Sequence, residues 1–409
     1  MKLPLAFINC FLSVVCLAQS TAVDTSSREI SYQEKKTYDV DGIFLSNEFN
    51  GARLNGVSKS NDTLTIRIEA ENQPINTSPW YAFKIWTASS RDVVLHFDYI
   101  DGLHRYYPKL SKDGIHWNPM DSSSFQLDMN SRRIAFRGQT GDSVITRSKS
   151  FAKITIGSEI TWVSGQEIID SENNSTWVNS IDCKKTRIGE SPLGAPIWKM
   201  DIGNIDSRKV LLVFSRQHPP EVTGNLAMRS FIEEITGSSE LAKKFRREYH
   251  TINFPMINPD GVDQGHWRHN TGGVDLNRDW SNLHQPENQL ISNHIKNYLE
   301  STGKKVYFGI DFHSTWKDIF YVLNRQSDVT HHLSAEWLEG MENRLPGFVV
   351  NDREIPLEGA GTSVRFFYHE CGSDGVTYEV GDDTDREYLK EKARVAAVSL
   401  MTVLLDVKN

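Results

Sequence analysis

The sequence has few cysteines and no excess of positive charge, and each scarcity excludes a class of protein. Its 409 residues include 4 cysteines, too few for a small scaffold held together by disulfides. Its 53 acidic residues outnumber its 45 lysines and arginines, which gives a formal net charge of -8. Non-specific nucleic-acid binding depends on a basic surface that neutralises phosphates, so we expect no DNA or RNA partner.

Long hydrophobic runs are also scarce, and the one that stands out lies at the amino terminus. Lys2 precedes an apolar run from Leu3 to Ala18, and small residues follow it. This order is typical of a secretory signal peptide, which we place at residues 1–20, and it predicts a periplasmic or secreted protein. The run falls short of the roughly 18 residues that a membrane span needs, so an uncleaved anchor is the weaker alternative. No later run favours stable membrane insertion.

Cleavage of this leader would remove Cys10 and Cys16 and leave Cys183 and Cys371 in the mature chain. In an oxidising compartment these two thiols could form a disulfide, and they could equally be separate buried thiols. The sequence leaves both arrangements open, and it leaves the oligomeric state open as well.

The chain contains enough apolar residues, 38%, for a large core, and its periodicity changes half-way along. Residues 27–181 contain short alternating stretches such as 63–68, separated by turn-forming residues, and predict an all-β sandwich without helices. In residues 183–409, apolar strands alternate with helix-like stretches, which predicts an α/β domain with a mixed, mostly parallel sheet flanked by helices. The helix-like stretches are residues 224–235, 286–299 and 385–407.

Candidate metal ligands follow two predicted strands of the second domain. His218 and Glu221 come after the strand at 210–214, and His313 ends the strand at 306–312. Sites gather where the strands of an open α/β sheet end, so these side chains are expected to meet. Two histidines and one carboxylate, with a fourth position left for water, are the ligands of a catalytic zinc. Each residue alone would also suit a polar turn.

The sequence between these ligands carries further motifs. Asn-Pro-Asp-Gly at 258–261 is followed by Arg268, and Val-Asp-Leu-Asn-Arg occupies 274–278. Together with His-x-x-Glu at 218–221 and the later His313, this order resembles the zinc carboxypeptidase family over about residues 183–407. The branch that the chain resembles most is the cytosolic carboxypeptidases, which carry a β-sandwich before the catalytic domain.

The resemblance implies that His218, Glu221 and His313 hold one Zn²⁺ per chain, which activates water and polarises the scissile carbonyl. It assigns the general base to Glu379. A carboxylate inside the apolar stretch 376–380 is costly unless it is paired or functional, which agrees with that assignment.

Three more residues match the substrate-binding groups of the family. The resemblance implies that Arg268 stabilises the oxyanion of the tetrahedral intermediate, and that Asn277 and Arg278 hold the terminal carboxylate of the substrate. A guanidinium binds a carboxylate through two parallel hydrogen bonds, which suits an enzyme that recognises a chain end. Asp275 would orient His218 from behind, although a capping role in a tight loop is nearly as well supported.

The sequence departs from the family pattern near the expected pocket for the C-terminal side chain. The family's substrate-contacting tyrosine has no counterpart in residues 357–363, and Tyr368 and Tyr378 lie off the pattern. Arg365 falls within the segment that normally builds this pocket, and it predicts a preference for acidic C-terminal residues.

The sequence therefore predicts a zinc-dependent metallocarboxypeptidase that removes C-terminal residues from peptides or proteins. One alternative is a carboxypeptidase of cell-wall stem peptides, whose free carboxylates suit the same arginines. The other is a non-catalytic zinc- or glycan-binding envelope protein, because a fold does not guarantee an activity. A protein that only binds would have no need of Glu379.

Overall fold

The computed structural model describes residues 23–76, 78–100, 102–128, 149–324, 329 and 332–407. The signal peptide predicted at residues 1–20 lies outside the described residues. None of the helices in the described ranges is both long and apolar enough to cross a bilayer.

The first half of the chain folds into two β-sheets that pack on each other. One sheet has the strand order β1-β2-β5-β11-β7-β8 and the other β3-β4-β6-β10-β9. Alternate residues of β6, among them Leu95 and Phe97, point into the core between the sheets, where Phe97 meets Tyr81 with ring centroids 4.7 Å apart. The sandwich architecture is confirmed. Its strands are β1 (Thr37–Val40), β2 (Ile43–Ser46), β3 (Gly56–Ser60), β4 (Thr63–Glu69), β5 (Ala82–Thr87), β6 (Arg91–Ile100), β7 (Lys109–Ser111), β8 (Asn118–Pro119), β9 (Phe125–Asp128), β10 (Lys149–Ile156) and β11 (Thr161–Ser164).

A helix that the sequence analysis did not expect, α1 (Ser171–Ser180), follows the sandwich. Its residues are mostly polar and lack the helical apolar period, which is why the pattern gave no sign of it. The side chain of Asp170 accepts a hydrogen bond from the backbone N–H of Asn173 at 2.8 Å and caps the first turn. The predicted boundary at residues 181–183 falls between this helix and the next strand, and the domain limits themselves stay a prediction.

The second half of the chain forms an eight-stranded sheet with the order β12-β13-β15-β14-β16-β19-β17-β18. The pairs β15–β14, β14–β16, β16–β19 and β17–β18 are parallel and the other three are antiparallel, which confirms a mixed, mostly parallel sheet. The strands are β12 (Lys184–Glu190), β13 (Pro196–Gly203), β14 (Lys209–Ser215), β15 (Tyr249–Phe254), β16 (Lys305–Thr315), β17 (Ile319–Leu323), β18 (Asp352–Ile355) and β19 (Asp374–Gly381).

Helices flank this sheet. The three predicted helical stretches correspond to α2, α5 and α8, and their ends differ from the observed ones by at most three residues. Apolar side chains of α2 and α8 pack with one face of the sheet in a single buried cluster, while residues of α5 and α7 pack on the other face. The helices are α2 (Val222–Thr236), α3 (Glu240–Glu248), α4 (Pro259–Asp263), α5 (Pro286–Thr302), α6 (Leu333–Arg344), α7 (Ser363–His369) and α8 (Arg386–Asp406).

The two remaining cysteines are separate thiols in this fold. Cys183 packs against the core cluster formed with α2 and α8, and Cys371 packs against the cluster on the other side of the sheet. Burial raises the pKa of the Cys183 thiol to about 11 and that of Cys371 to about 12, which keeps both protonated and unreactive. The disulfide that the sequence left open is therefore not formed.

A buried carboxyl at the start of α5 should make the stability of the fold depend on pH. Glu287 is 1% exposed, and burial raises its pKa to about 7. Its Oε2 accepts a hydrogen bond from Asn270 Nδ2 at 2.9 Å, whereas Oε1 has no partner among the described residues. Because the folded-state pKa exceeds the unfolded value of 4.5, the protonated form stabilises the fold, and this contribution is lost as the pH rises through about 7.

We therefore expect Glu287→Gln to be more stable than the parent chain by roughly 1–3 kcal/mol at about pH 8, and to lose this advantage at about pH 4.5. Urea unfolding of both chains at the two pH values measures the difference. An equal difference at the two pH values would contradict the assigned pKa.

Candidate active site

The three predicted metal ligands meet at the carboxyl edge of the large sheet. His218 and Glu221 lie in the loop between β14 and α2, and His313 lies near the end of the neighbouring parallel strand β16. Glu221 approaches both histidines, with Oε1 at 2.8 Å from Nδ1 of His218 and Oε2 at 2.7 Å from Nδ1 of His313. All three are buried, and one ligand atom from each lies within 4.8 Å of the others.

A glycine allows this close approach. Gly224, in the first turn of α2, packs directly on the backbone of His313, and a Cβ atom there would lie 2.4 Å from the carbonyl oxygen of His313. Any other residue would push α2, and Glu221 with it, away from β16. The tight contact between helix and strand therefore holds the carboxylate against the two imidazoles.

Two further carboxylates contact the Nε2 atoms of the two imidazoles and so orient the rings. Asp275 Oδ1 lies 2.9 Å from Nε2 of His218, and Asp311 Oδ2 lies 2.7 Å from Nε2 of His313. Both Nε2 atoms are thus engaged, and both Nδ1 atoms face the point that Glu221 faces. Asp275 also caps the turn at Leu276–Arg278 by accepting the N–H of Asn277 at 2.9 Å, so it makes the contact that each of its two predicted roles requires.

The charges of the cluster support each other despite complete burial. Burial disfavours the charged form of His313, but the carboxylates of Asp311 and Glu221 raise its pKa well above the usual range. Burial likewise opposes ionisation of Glu221, but the two imidazoles lower its pKa well below the ordinary value. No motif in the sequence pointed to Asp311, although its position two residues before His313 on one strand places both on the same face.

The donor set fits a divalent metal ion. One nitrogen from each of two histidines and one carboxylate converge on a common point, which is the ligand arrangement of catalytic zinc. Each imidazole donates its other N–H to a carboxylate, as metal-bound histidines commonly do.

Glu379 lies beside this cluster on the next parallel strand. The register of β16 and β19 pairs it directly with His313. Burial, and next the charge of Glu221, raise the pKa of Glu379 to about 7. Its Oε2 atom has no hydrogen-bond partner in the described part of the chain. The strand therefore presents a carboxyl group beside the cluster that holds a proton more readily than an ordinary glutamate when no metal ion is bound.

Of the predicted substrate-binding residues, Arg268 and Asn277 contact groups that belong to this site, and Arg278 contacts Asn277. Arg268 donates from Nε to Asp275 Oδ2 at 2.7 Å, the only hydrogen bond of its side chain within the described residues, and both Nη atoms remain able to bind an oxyanion. Asn277 Nδ2 lies 3.3 Å from Nε2 of His313. Arg278 donates from Nη1 to the carbonyl oxygen of Asn277 at 2.7 Å, and the residue is half-buried.

The structure gives Arg365 a different principal contact from the one predicted. Its guanidinium donates to the carbonyl oxygens of Pro356 at 2.9 Å, Leu357 at 3.1 Å and Ala360 at 2.7 Å. Arg365 therefore fixes the loop before α7, and a direct contact with substrate stays a prediction. Burial, and next the charge of Arg278, lower the pKa of Arg365.

A tyrosine that the sequence did not indicate lies on the face of the sheet that carries Glu379. Tyr321 on β17 pairs with Thr377, which shares its face of β19 with Glu379. Burial, and next the charge of Glu379, raise the pKa of its phenol. Tyr378 is fully buried on the opposite face of β19, so it does not replace the missing tyrosine.

The sandwich also contributes a charged residue at this edge of the sheet. Arg105 pairs with Asp382, with Nε and Oδ2 2.8 Å apart, and donates to the carbonyl oxygen of Ser314 at 3.0 Å. Arg105 thereby joins the ends of β16 and β19. Ser314 directly follows His313, and Asp382 lies three residues after Glu379. No sequence pattern linked this residue to the site.

The family model described as zinc carboxypeptidase matches residues 179–393, more than half of the chain. The chain belongs to the zinc carboxypeptidase family. This family implies one Zn²⁺ per chain, and His218, Glu221 and His313 form a group within the described residues that could hold it.

Curated relatives are named cytosolic carboxypeptidases. The chain is 32% identical over 123 residues to cytosolic carboxypeptidase 1 of Danio rerio, a match that covers 29% of this chain and 11% of the relative. It is 26% identical over 205 residues to cytosolic carboxypeptidase 2 of Homo sapiens, covering 47% and 21% respectively. The chain thus matches only about a tenth to a fifth of the length of these relatives.

Solved structures match nearly the whole fold. A metallo-carboxypeptidase from Burkholderia cenocepacia superposes with a TM-score of 0.67 at 17% identity, covering 89% of this chain and 98% of that one. A metallo-carboxypeptidase from Pseudomonas aeruginosa in complex with (2-guanidinoethylmercapto)succinic acid gives a TM-score of 0.68 at 16% identity, with coverage of 89% and 100%. These matches show that the sandwich and the α/β domain together form a known carboxypeptidase architecture.

Asp311 gives a prediction on metal affinity. We expect Asp311→Asn to weaken zinc binding by about 10- to 100-fold, because the amide removes the negative charge that orients His313. Competition with a chromophoric chelator measures the affinity. Asp206→Asn, in an exposed loop, is the matched control, and equal affinities in the two variants would contradict the role given to Asp311.

Proposed function

We propose that the chain hydrolyses the C-terminal residue from peptides and proteins. The observation that carries this proposal is the convergence of His218, Glu221 and His313 on one point, with Glu379 paired to His313 on the adjacent strand. The family match supports the same chemistry. The cluster offers no candidate nucleophile of its own, and Glu379 suits attack by water.

The residues divide the reaction between them. Zinc, when bound, supplies a Lewis acid that lowers the pKa of a water molecule and polarises the scissile carbonyl. Glu379 accepts a proton from the attacking water and passes it to the leaving amine. The free Nη groups of Arg268 stabilise the developing oxyanion, and Asn277 and Arg278 bind the terminal carboxylate and so restrict cleavage to the last residue.

The test is a mass-spectrometric time course on a mixed peptide library. We expect the zinc-loaded chain to remove single C-terminal residues in steps, and the same chain stripped by a chelator to remove none. If the zinc-loaded chain trims no peptide, the proposal for ordinary peptides fails. Release of amino acids from purified muropeptides alone would then support the cell-wall alternative, and zinc binding without any hydrolysis would support a binding role.

We further propose a preference for acidic C-terminal residues. The charge of Arg278 lowers the pKa of Arg365, so the two residues act on each other electrostatically, and together they would favour a second negative charge on the substrate. Peptides that differ only in a terminal Glu or Gln test this directly. We expect kcat/KM to be at least about tenfold higher for Glu, a difference of ~1.4 kcal/mol, and equal values would refute the preference.

We also propose that the chain is exported. The proposal rests on the charged, apolar and small-residue order of residues 1–20. The curated relatives carry the word cytosolic in their names, so the location needs its own test. Cell fractionation followed by N-terminal sequencing should find a chain that begins near residue 21 outside the inner membrane. A cytoplasmic chain that begins at Met1 would overturn the proposal.

A further inference from the structure

A carboxylate from the sandwich lies beneath the loop that carries Arg268. Glu71 follows strand β4 and is completely buried. Its carboxylate accepts three successive backbone N–H groups, from Trp267 at 2.7 Å, Arg268 at 3.0 Å and His269 at 2.7 Å. Successive N–H groups that point to one anion fix the local backbone, because each hydrogen bond restrains a different peptide plane.

Glu71 is ionised in this position. Burial opposes its charge, but the charges of His266 and Arg53 and the hydrogen bond from His269 lower its pKa below the usual range. Hydrogen bonds to an ionised acceptor are shorter and stronger than those to a neutral one. A neutral side chain of the same shape would present an amide N–H₂ where one of the carboxylate oxygens now accepts.

The neighbours of Glu71 hold the rest of the same loop. Asn72 donates from Nδ2 to the carbonyl oxygen of Gly273 at 3.0 Å, and its Oδ1 lies 2.6 Å from Nδ1 of His269. The backbone N–H of Arg28 donates to the carbonyl oxygen of Gly272 at 2.8 Å. Residues of the sandwich half of the chain therefore support the loop at 267–273 from end to end.

The loop transmits this support to the site. The Arg268 side chain donates to Asp275, and Asp275 also binds His218. A continuous line of hydrogen bonds thus runs from Glu71, through the backbone of Arg268 and its guanidinium, to a metal ligand. A shift of the loop by a fraction of an ångström would move the guanidinium away from the position of the oxyanion.

We infer that Glu71 is a positioning residue for Arg268, so that the sandwich builds part of the catalytic site. The inference rests on the proposed function for its catalytic consequence, and on the three hydrogen bonds for its structural one. A sandwich that served only as a neighbouring domain would need no buried charge at this point.

The test compares Glu71→Gln with Glu167→Gln. Glu167 also belongs to the sandwich half of the chain and also bonds the second half, through an ion pair with Arg386 at 2.8 Å, but it has no hydrogen bond to the loop at 267–273. The control therefore removes the same charge from a contact between the same two halves. Both variants are made in the full-length chain and loaded with zinc.

For Glu71→Gln we expect kcat to fall by about a hundredfold with little change in KM, and we expect the double variant with Arg268→Ala to be no slower than Arg268→Ala alone. Hydrogen–deuterium exchange should show faster exchange of the amides at 267–269 in Glu71→Gln and unchanged exchange in Glu167→Gln. Zinc content should match the parent chain in both variants.

Equal losses in the two variants, multiplying losses in the double variant, or unchanged exchange at 267–269 would each overturn the inference. If Glu71→Gln does not fold, Glu71→Asp, which keeps the charge but shortens its reach, is measured by the same exchange experiment, with the same expected release of the amides at 267–269. If the parent chain trims no peptide, the proposed function fails, and the exchange measurement still decides whether Glu71 holds the loop.

Discussion

Replacing Glu379 with glutamine is expected to lower kcat for removal of a C-terminal residue by about 10²- to 10⁴-fold, with zinc content unchanged. The amide keeps the shape of the side chain but cannot accept a proton from water. Glu379 is not one of the three converging ligands, so the metal should remain. Steady-state kinetics on a single peptide, with metal analysis of the same samples, measures both quantities.

The stability of this variant should not fall along with its activity. In the parent chain, burial raises the pKa of Glu379 to about 7, and the Oε2 atom has no hydrogen-bond partner among the described residues. Removing such a charge should leave the melting temperature of the metal-free chain equal or higher. Glu300→Gln, on the exposed face of α5, is the control and should change neither kcat nor the melting temperature. Full activity of Glu379→Gln would refute its role as the base.

The pH dependence of the parent chain offers a second check on the base. Glu379 must be ionised to accept a proton, so kcat/KM should fall by about tenfold for each pH unit below its pKa. A bound cation lowers this pKa, because it favours the charged carboxylate. A rate that stays constant down to the pH at which the chain unfolds would contradict this assignment.

Replacing Arg105 with methionine is expected to destabilise the fold by about 3–5 kcal/mol at neutral pH, because it leaves the carboxylate of Asp382 buried without its partner. The side chains of Arg105 and Asp382 are only 7% and 3% exposed. The pair also joins the sandwich to the carboxyl end of β19, so the loss should affect the whole fold. Urea unfolding of the full-length chain gives the free energy of unfolding.

The loss of stability in this variant should depend on pH, and the protonation of Asp382 sets the direction of that dependence. Burial already raises its pKa to about 6, against the opposing charge of Arg105, and without Arg105 the pKa rises further. In the variant, the protonated carboxyl is tolerated, so the destabilisation should be smaller at about pH 5 than at about pH 8. Arg394→Met, which breaks an exposed pair with Glu391, should cost less than about 1 kcal/mol. Similar losses in both variants would show that the buried pair contributes little.

Much of the catalytic half was predictable because its patterns are local. Buried parallel strands such as β14 and β16 are continuous apolar runs, and the helices that follow have a clear helical period, so the fold class followed from the sequence. His218, Glu221 and His313 each stand where such a strand ends. Other features had less direct signals: α1 has no apolar face to reveal it, and Arg365 binds carbonyl oxygens of its own loop, so its contact with substrate stays a prediction.

The sequence by itself indicated the two-part architecture, the proposed ligand set and the candidate base, because each is encoded by residue type and position along a strand or loop. Only the tertiary structure revealed that Glu71, Arg105, Asp311 and Tyr321 lie at or support the site. Only it showed that Cys183 and Cys371 are separate thiols. These features depend on the register of β16, β17 and β19 and on the packing of the sandwich against the α/β half. Contacts between residues far apart in the chain leave no periodic signal, so a carboxylate at position 71 can support an arginine at position 268 without any mark in the sequence.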